Sequence, residues 1–171
     1  MSVTRCPPKV LNSFCNKPGT KVGVKKGNYT GSKFTVHGWR AMKIERFEDI
    51  EAWQLAREMT QKVYCLTKKS GFAKDYGVKR QIQDAAGSSM HNIAEGFNSE
   101  TNAEFIRFLR YAKRSCTEVQ SELYVALDEE YISSNEFKDV YEQARRTRAA
   151  VRGFINYLKK YENRKVTNRE L

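Results

Sequence analysis

The chain has 171 residues, a formal net charge of +11 and 40% hydrophobic residues. Residues 1–43 contain nine of the 31 Lys and Arg residues and none of the 20 Asp and Glu residues, which leaves residues 44–171 with a net charge of only +2. The charge of the whole chain is therefore no evidence that its folded part binds nucleic acid. No apolar run approaches the ~20 residues of a membrane span, and the N-terminus lacks the apolar block of a secretory signal. We predict a cytoplasmic protein without a membrane partner.

The first 41 residues differ in composition from the rest of the chain. All three Pro residues and five of the ten Gly residues lie before residue 40, where no helical periodicity occurs. The segment has too little apolar surface to offset the entropy of ordering the chain. We predict that residues 1–41 form a basic, disordered leader, or lie upstream of a natural start at Met42. The expected remainder is a helical bundle over 42–163 and a frayed tail over 164–171.

Apolar residues recur at three- and four-residue steps from residue 48 onward, which indicates amphipathic helices. The first predicted helix covers about 48–69, and Ser70-Gly71 predicts its end. A connection over 72–77 leads to the second predicted helix, about 78–97. Its small residues at 85–89 predict that another helix approaches closely, either from the same subunit or from a neighbouring one.

Two capping boxes mark the next helices, because a hydroxyl at the N-cap precedes a carboxylate by three residues. Thr101 to Glu104 begins a predicted helix over about 102–129, and Ser133 to Glu136 begins one over about 134–162. Four helices with short links predict an all-α, up-down-up-down antiparallel four-helix bundle. The predicted core comprises Trp53, Val63, Ile82, Ile93, Phe105, Leu109, Cys116, Leu123, Val140, Val151, Phe154 and Leu158.

The sequence offers no set of residues for catalysis or for a metal. A di-iron bundle needs Glu-x-x-His on two helices, but the histidines are His37 and His91 alone, and Ser88 stands three residues before His91. Neither a phosphate-binding glycine motif nor a zinc-like cysteine spacing occurs. We predict a non-enzyme with no catalytic residue, no metal, no cofactor and no small-molecule substrate.

The segment 92–96 places the amide of Asn92 and the carboxylate of Glu95 among apolar neighbours, close to Gly96 at a helix end. One interpretation is that these residues satisfy backbone groups or form a subunit contact. The other is a functional site. Glu95 can also meet His91 on one helix face, as an ordinary surface pair or as an acid/base or metal pair.

The candidate nucleic-acid-binding residues form two stripes outside the apolar faces: Arg107, Arg110 and Arg114 in the third predicted helix, and Arg145, Arg148 and Arg152 in the fourth. Lys138 and Lys159 continue the second stripe at seven-residue spacing. Each stripe alone is compatible with a solvated surface that carries local ion pairs, for which we expect Arg107 with Glu104 and Lys138 with Glu142.

A further group of apolar or aromatic residues falls at or beyond the edges of the apolar faces. A lone bundle would expose some of them, and exposed patches of this kind mark contacts. We expect a homo-oligomer to bury this group, which comprises Leu55, Met59, Ile106, Tyr111, Tyr124 and Tyr157.

Three stretches, over 47–57, 81–97 and 104–118, are similar to one protein family. They read FEDIEAWQLAR, then QI followed by AA and NIAEGF, then EFIRFLRYA. In this order they resemble the small four-helix-bundle proteins encoded inside 23S ribosomal RNA intervening sequences. The resemblance covers about 43–160 and has no counterpart in the leader.

The resemblance implies a four-helix bundle and a homopentamer, as in the similar accessory variability proteins of diversity-generating retroelements. Those relatives are described as binding nucleic acid and a reverse transcriptase. Two functions stay open for this chain. One is an oligomeric protein that binds RNA and is associated with ribosomal RNA. The other is a protein-binding scaffold without nucleic-acid contact. Salt-dependent RNA binding by residues 42–171 alone would discriminate between them.

Overall fold

The computed structural model describes the backbone of residues 44–167 and the side chains of residues 44–161. A 3-10 turn at Phe47–Asp49 precedes five α-helices, and no strand occurs in the described range. The predicted all-α class is confirmed. The predicted leader, 1–41, lies outside the described residues. The helices are α1 (Glu51–Leu66), α2 (Ser70–Lys74), α3 (Tyr76–Phe97), α4 (Asn102–Asp128) and α5 (Ser134–Thr167).

The four long helices form the predicted up-down-up-down bundle. Each packs mainly against two neighbours, in the cyclic order α1, α3, α4, α5. The α3–α4 contact is the most extensive, as the small residues of α3 predicted. The hydroxyl of Thr60 in α1 donates to the carbonyl oxygen of Ala86 in α3 at 3.0 Å, which shows how closely these backbones approach.

The link between α1 and α3 differs from the prediction. Ser70-Gly71 does not end a helix but begins the short helix α2, and α1 already ends at Leu66. The reason is Phe72, which is fully buried and stacks on the ring of Tyr131 at a centroid distance of 5.3 Å. Asp75 then caps α3, because its carboxylate accepts a hydrogen bond from the backbone N–H of Val78 at 3.1 Å.

The start of α1 also lies later than predicted. Ile50 has an extended backbone with φ −76° and ψ 115°, so the preceding 3-10 turn is separate from α1. Ile50 is fully buried, and the side-chain amide of Gln54 donates to the backbone oxygen of Glu48 at 2.8 Å. Burial of Ile50 therefore fixes the entry of the chain into the bundle.

Both predicted capping positions begin helices. The hydroxyl of Thr101 accepts from the backbone N–H of Glu104 at 3.2 Å. The second box is reciprocal, since the Ser133 hydroxyl accepts from the Glu136 N–H at 3.4 Å and the Glu136 carboxylate accepts from the Ser133 N–H at 2.9 Å. Helix α5 continues to Thr167, five residues beyond its predicted end.

The core comprises two hydrophobic clusters, one around Leu109 and one around Leu123, and both leucines are fully buried. Every predicted core residue is buried except Trp53. Trp53 is partly buried at the edge of the Leu109 cluster, where its ring meets Phe47 edge-on at 5.1 Å and lies under the guanidinium of Arg57.

Two residues expected at the edge of the apolar faces lie in the core instead. Met59 and Ile106 are buried within the single bundle, so they are not available to an oligomer. Leu55 is half-buried. The three tyrosines of that group are exposed, with relative exposures of 43% for Tyr111, 50% for Tyr124 and 49% for Tyr157.

Candidate nucleic-acid interface

Helices α4 and α5 form an antiparallel hairpin in which the first part of α4 lies beside the second part of α5. The rings of Phe105 and Phe154 meet edge-on at 5.3 Å, and Leu109 and Val151 belong to the same core cluster. Residues 105–117 of α4 and 143–161 of α5 are therefore neighbours, and they form one end of the hairpin.

These two ranges, which we call the basic half, contain no Asp or Glu residue, and Glu104 and Glu162 lie directly outside them. Residues 105–117 contribute four basic residues and residues 143–161 contribute six, and all except Lys113 are exposed. Its members are Arg107, Arg110, Lys113, Arg114, Arg145, Arg146, Arg148, Arg152, Lys159 and Lys160.

The structure brings the two predicted arginine stripes together on one face. The Arg148 guanidinium donates to the hydroxyl of Thr117 at 3.4 Å, so Thr117 marks the side of α4 that faces α5. Tyr124, seven residues further, also contacts α5, through the rings of Phe137 and Tyr141. Because residues seven apart share a helix face, Arg110 lies on the same side of α4, next to the α5 stripe.

Local ion pairs neutralise two of the six predicted arginines. Arg107 pairs with Glu104 at 3.4 Å, as predicted. The predicted pair of Lys138 with Glu142 is wrong, because Arg145 donates two hydrogen bonds of 2.7 Å to the Glu142 carboxylate. That hydrogen-bonded pair lowers the pKa of Glu142.

The other four predicted arginines keep their charge available to a ligand. Among the side chains of residues 44–161, no carboxylate forms an ion pair with Arg110, Arg114, Arg148 or Arg152. All four are exposed. Unpaired guanidinium groups present the planar donor fork that binds phosphate oxygens in a bidentate manner.

The opposite end of the hairpin, residues 118–142, is the acidic half. It contains eight Asp and Glu residues and a single basic residue, Lys138. Burial, and secondarily the neighbouring charge of Glu118, raises the pKa of Glu122. An exposed aromatic group lies here as well, because the ring of Tyr124 contacts Phe137 at 4.9 Å and Tyr141 at 5.8 Å.

Asn92, the first residue of the motif, is hydrogen-bonded within α3 to Ser88, and Ser88 in turn contacts α4. The side-chain amide of Asn92 donates to the backbone oxygen of Ser88 at 2.7 Å and to the Ser88 hydroxyl at 3.0 Å. The hydroxyl of Ser115 in α4 donates to the hydroxyl oxygen of Ser88 at 3.1 Å. This network satisfies polar groups between two closely packed helices.

Gly96 has a steric role. A Cβ atom at this position would lie 2.6 Å from a ring carbon of Phe105 and 2.8 Å from the Cβ of Phe108. Only a glycine therefore allows the end of α3 to contact the start of α4 at this distance. Glu95 takes no part in this contact, since it is exposed on the outer side of α3.

Glu95 instead lines an open depression of about 340 Å³ on α3, with Asp84 and His91. Two carboxylates give this depression an acidic character, which is unfavourable for phosphate. Within the described part of the chain, no group of three or more His, Cys, Asp and Glu residues is arranged to hold a metal ion.

Neither of the two described cysteines, Cys65 and Cys116, forms a disulfide. Cys116 is buried in the core, and burial raises its pKa to about 12. It is therefore a protonated thiol at neutral pH and acts as a small apolar residue, as the sequence predicted. None of the described helices has the length and the apolar composition needed to cross a membrane.

The sequence profile of the 23S rRNA-intervening sequence protein family matches residues 48–153. The chain belongs to this family. The match includes α1 to α4 and the part of α5 that carries Arg145, Arg148 and Arg152. The resemblance drawn from the three sequence stretches is thus confirmed.

A solved structure with the same fold is a protein of unknown function from the S23 ribosomal protein family of Bacteroides thetaiotaomicron VPI-5482. It is 19% identical, the TM-score is 0.57, and the alignment covers 61% of this chain and 95% of the other. The comparison with curated proteins gives no match.

Three members of the basic half were not part of either predicted stripe: Lys113, Arg146 and Lys160. Their signal in the sequence is the absence of acidic residues from two long stretches, 105–117 and 143–161. The adjacency of those stretches became apparent only from the antiparallel packing of α4 and α5.

Proposed function

We propose that this member of the 23S rRNA-intervening sequence protein family is a non-enzymatic, oligomeric RNA-binding protein of the cytoplasm. The observation that carries the proposal is the basic half, in which ten basic and no acidic residues lie on two packed helices. A net charge of +2 for residues 44–171 conceals this segregation, because the acidic half offsets most of it.

Phosphate binding is the chemistry that fits such a surface. Each phosphate that a Lys or Arg neutralises releases counterions, and these contributions add along the surface. Arg110, Arg114, Arg148 and Arg152 are exposed and form no ion pair within residues 44–161, so they need not give up a carboxylate partner to bind RNA. Backbone contacts of this kind carry little sequence information.

Exposed tyrosines support the oligomer. Tyr111, Tyr124 and Tyr157 are each 43% to 50% exposed, and exposed apolar groups of this size are typical of contacts. Repeated head-to-tail contacts would close a ring, and the family resemblance favours five copies. Light scattering at micromolar concentration should report a mass near five times 19.8 kDa. A monomer under these conditions would contradict the ring.

The test of RNA binding compares two full-chain variants of equal charge. The first replaces Arg110, Arg114, Arg148 and Arg152 by Gln on the basic half. The matched control replaces four basic residues of α1 to α3 and their links by Gln: Lys68, Lys74, Lys79 and Arg80. The leader is common to both proteins, so a difference reports the α4–α5 surface. Fluorescence anisotropy with a labelled RNA should show a marked loss of affinity for the first variant only.

A protein-binding scaffold is the second candidate function. The observation that favours it is the exposed aromatic surface on the acidic half, where Tyr124 contacts Phe137 and Tyr141 beside the exposed Val125. If both charge variants bind RNA as the unchanged protein does, the arginines are an ordinary solvated surface. The scaffold would then replace the RNA-binding proposal.

A further inference from the structure

We infer that the basic half binds a nucleic-acid duplex and contacts the phosphates of both strands at once. The inference rests on the proposed function, because it specifies the form of nucleic acid that the same surface binds. It follows from the arrangement of the arginines on two helices, and not from their number.

The cations form two parallel rows. One row lies on α4, where Arg107 and Arg114 are seven residues and so ~10 Å apart along the axis. The other lies on α5, where fourteen residues, or ~21 Å, separate Arg145 from Lys159. Packed helices have axes ~8–10 Å apart, and the contact of Arg148 with Thr117 fixes the two rows side by side. A single strand offers one row of phosphates, whereas a duplex offers two.

The two rows are also rigid. Leu109 and Val151 are fully buried beneath them, and Phe105 and Phe154 join the helices through a ring contact of 5.3 Å. A flexible single strand would lose conformational entropy in adapting to both fixed rows. A stiff duplex avoids most of this cost, since its own geometry already holds both backbones at fixed positions.

A single-strand site combines a positively charged groove with aromatic stacking platforms. Exposed tyrosines do lie in the basic half, but their positions around the helices place them outside the two rows. Tyr111 stands six residues from Thr117, or ~120° around α4, and Tyr157 stands nine residues from Arg148, or ~180° around α5. Both tyrosines therefore flank the two rows, and neither lies between them.

A competition experiment with the full-length chain tests the inference. The probes are a labelled RNA duplex of 20 base pairs, its two separate strands, and a DNA duplex of the same sequence. The RNA duplex should compete at a concentration at least about tenfold below that of either strand, which corresponds to ~1.4 kcal/mol of binding free energy. Equal competition by the DNA duplex would show that the surface accepts the phosphates of any duplex, and weaker competition that it selects the A-form helix.

Two triple variants test whether both rows are used. Arg107, Arg110 and Arg114 are replaced by Gln in one, and Arg145, Arg148 and Arg152 in the other. Both should lose affinity for the duplex while retaining the helical circular dichroism of the unchanged protein. Single strands that compete as well as the duplex, or a loss in only one triple variant, would overturn the inference and leave RNA binding intact. If neither variant loses affinity for any probe, the proposed function itself fails.

Discussion

The two halves of the α4–α5 hairpin share the same helices and the same kind of core but have opposite charge. Leu109 in the basic half and Leu123 in the acidic half are both fully buried. Outside that core, the basic half has ten basic and no acidic residues, whereas residues 118–142 have eight acidic residues and one Lys. The core thus determines the fold of both halves, and their surfaces determine which of them can contact phosphate.

The comparison also shows how an antiparallel hairpin separates charge. The acidic half is one continuous stretch of sequence that turns back at residues 129–133. The basic half consists of two stretches separated by that turn, and each stretch alone has only a modest charge. The folded hairpin joins them, and a net charge calculated over the whole domain hides the result.

The largest expected effect concerns the hydrophobic core that the two halves share. Replacing Leu109 by Ala should lower the free energy of unfolding by ~2–5 kcal/mol, the usual cost of truncating a buried leucine. Leu123→Ala is the matched variant in the acidic half and should cost about the same. Urea denaturation measures both. Unchanged stability for either variant would show that the wrong face of α4 has been assigned to the core.

The next effect concerns the contact between α3 and α4 beneath the basic half. Gly96→Ala should destabilise the protein by ~1–3 kcal/mol, because the new methyl group collides with Phe105 and Phe108. Gly153→Ala is the control, since nothing lies within 4 Å of a Cβ at this exposed helical position. It should stabilise by up to ~1 kcal/mol. Thermal unfolding that ranks the two variants the other way would refute the close contact.

A smaller effect is expected for RNA binding. Replacing Arg145, Arg148 and Arg152 by Gln should weaken RNA binding by roughly 1–2 kcal/mol, or five- to thirtyfold, because the phosphate contacts of the two unpaired arginines, Arg148 and Arg152, are lost. The oligomer should keep its mass in light scattering. A change of mass would mean that the arginines serve the subunit contact, and the comparison of the two halves would need revision.

The smallest effect lies in the acidic half. Burial raises the pKa of Glu122 in the folded state, so its ionisation opposes folding at neutral pH. Glu122→Gln should therefore stabilise the protein slightly at pH 7, by less than about 0.5 kcal/mol for a group that is only partly buried. The gain should vanish as the pH falls below the ordinary range of a Glu side chain, where the carboxyl group is protonated in both states. Denaturation curves at pH 7 and pH 3.5 measure the difference, and a gain that persists at pH 3.5 would contradict the assigned cause.

Most of the fold could be predicted from the sequence, because apolar periodicity and capping residues are local signals. Thr101 and Ser133 begin helices as expected, and the apolar positions from Val63 to Leu158 lie in the core. The short helix α2 could not be predicted, since Ser70-Gly71 resembles a helix end until the burial of Phe72 is known. At this position the burial of Phe72 outweighs the local tendency of Ser70-Gly71 to end a helix.

The candidate site could be predicted only in part. Spacing within one helix places Arg107, Arg110 and Arg114 on a common face, but it cannot show that α5 brings Arg148 beside them. Spacing also allowed Glu142 to pair with Lys138, whereas the guanidinium of Arg145 offers two donors to the same carboxylate. Contacts between helices and competition for one partner depend on the assembled bundle.

The most direct test of the central claim is the salt dependence of RNA binding by the full chain. The logarithm of the binding constant, plotted against the logarithm of the salt concentration, has a slope that counts neutralised phosphates, at roughly 0.7–0.9 per contact. The variant that replaces Arg110, Arg114, Arg148 and Arg152 by Gln should lower this slope by roughly three units. The matched control at Lys68, Lys74, Lys79 and Arg80 should leave it unchanged. Equal slopes for the unchanged protein and both variants would contradict the assignment of RNA binding to the basic half.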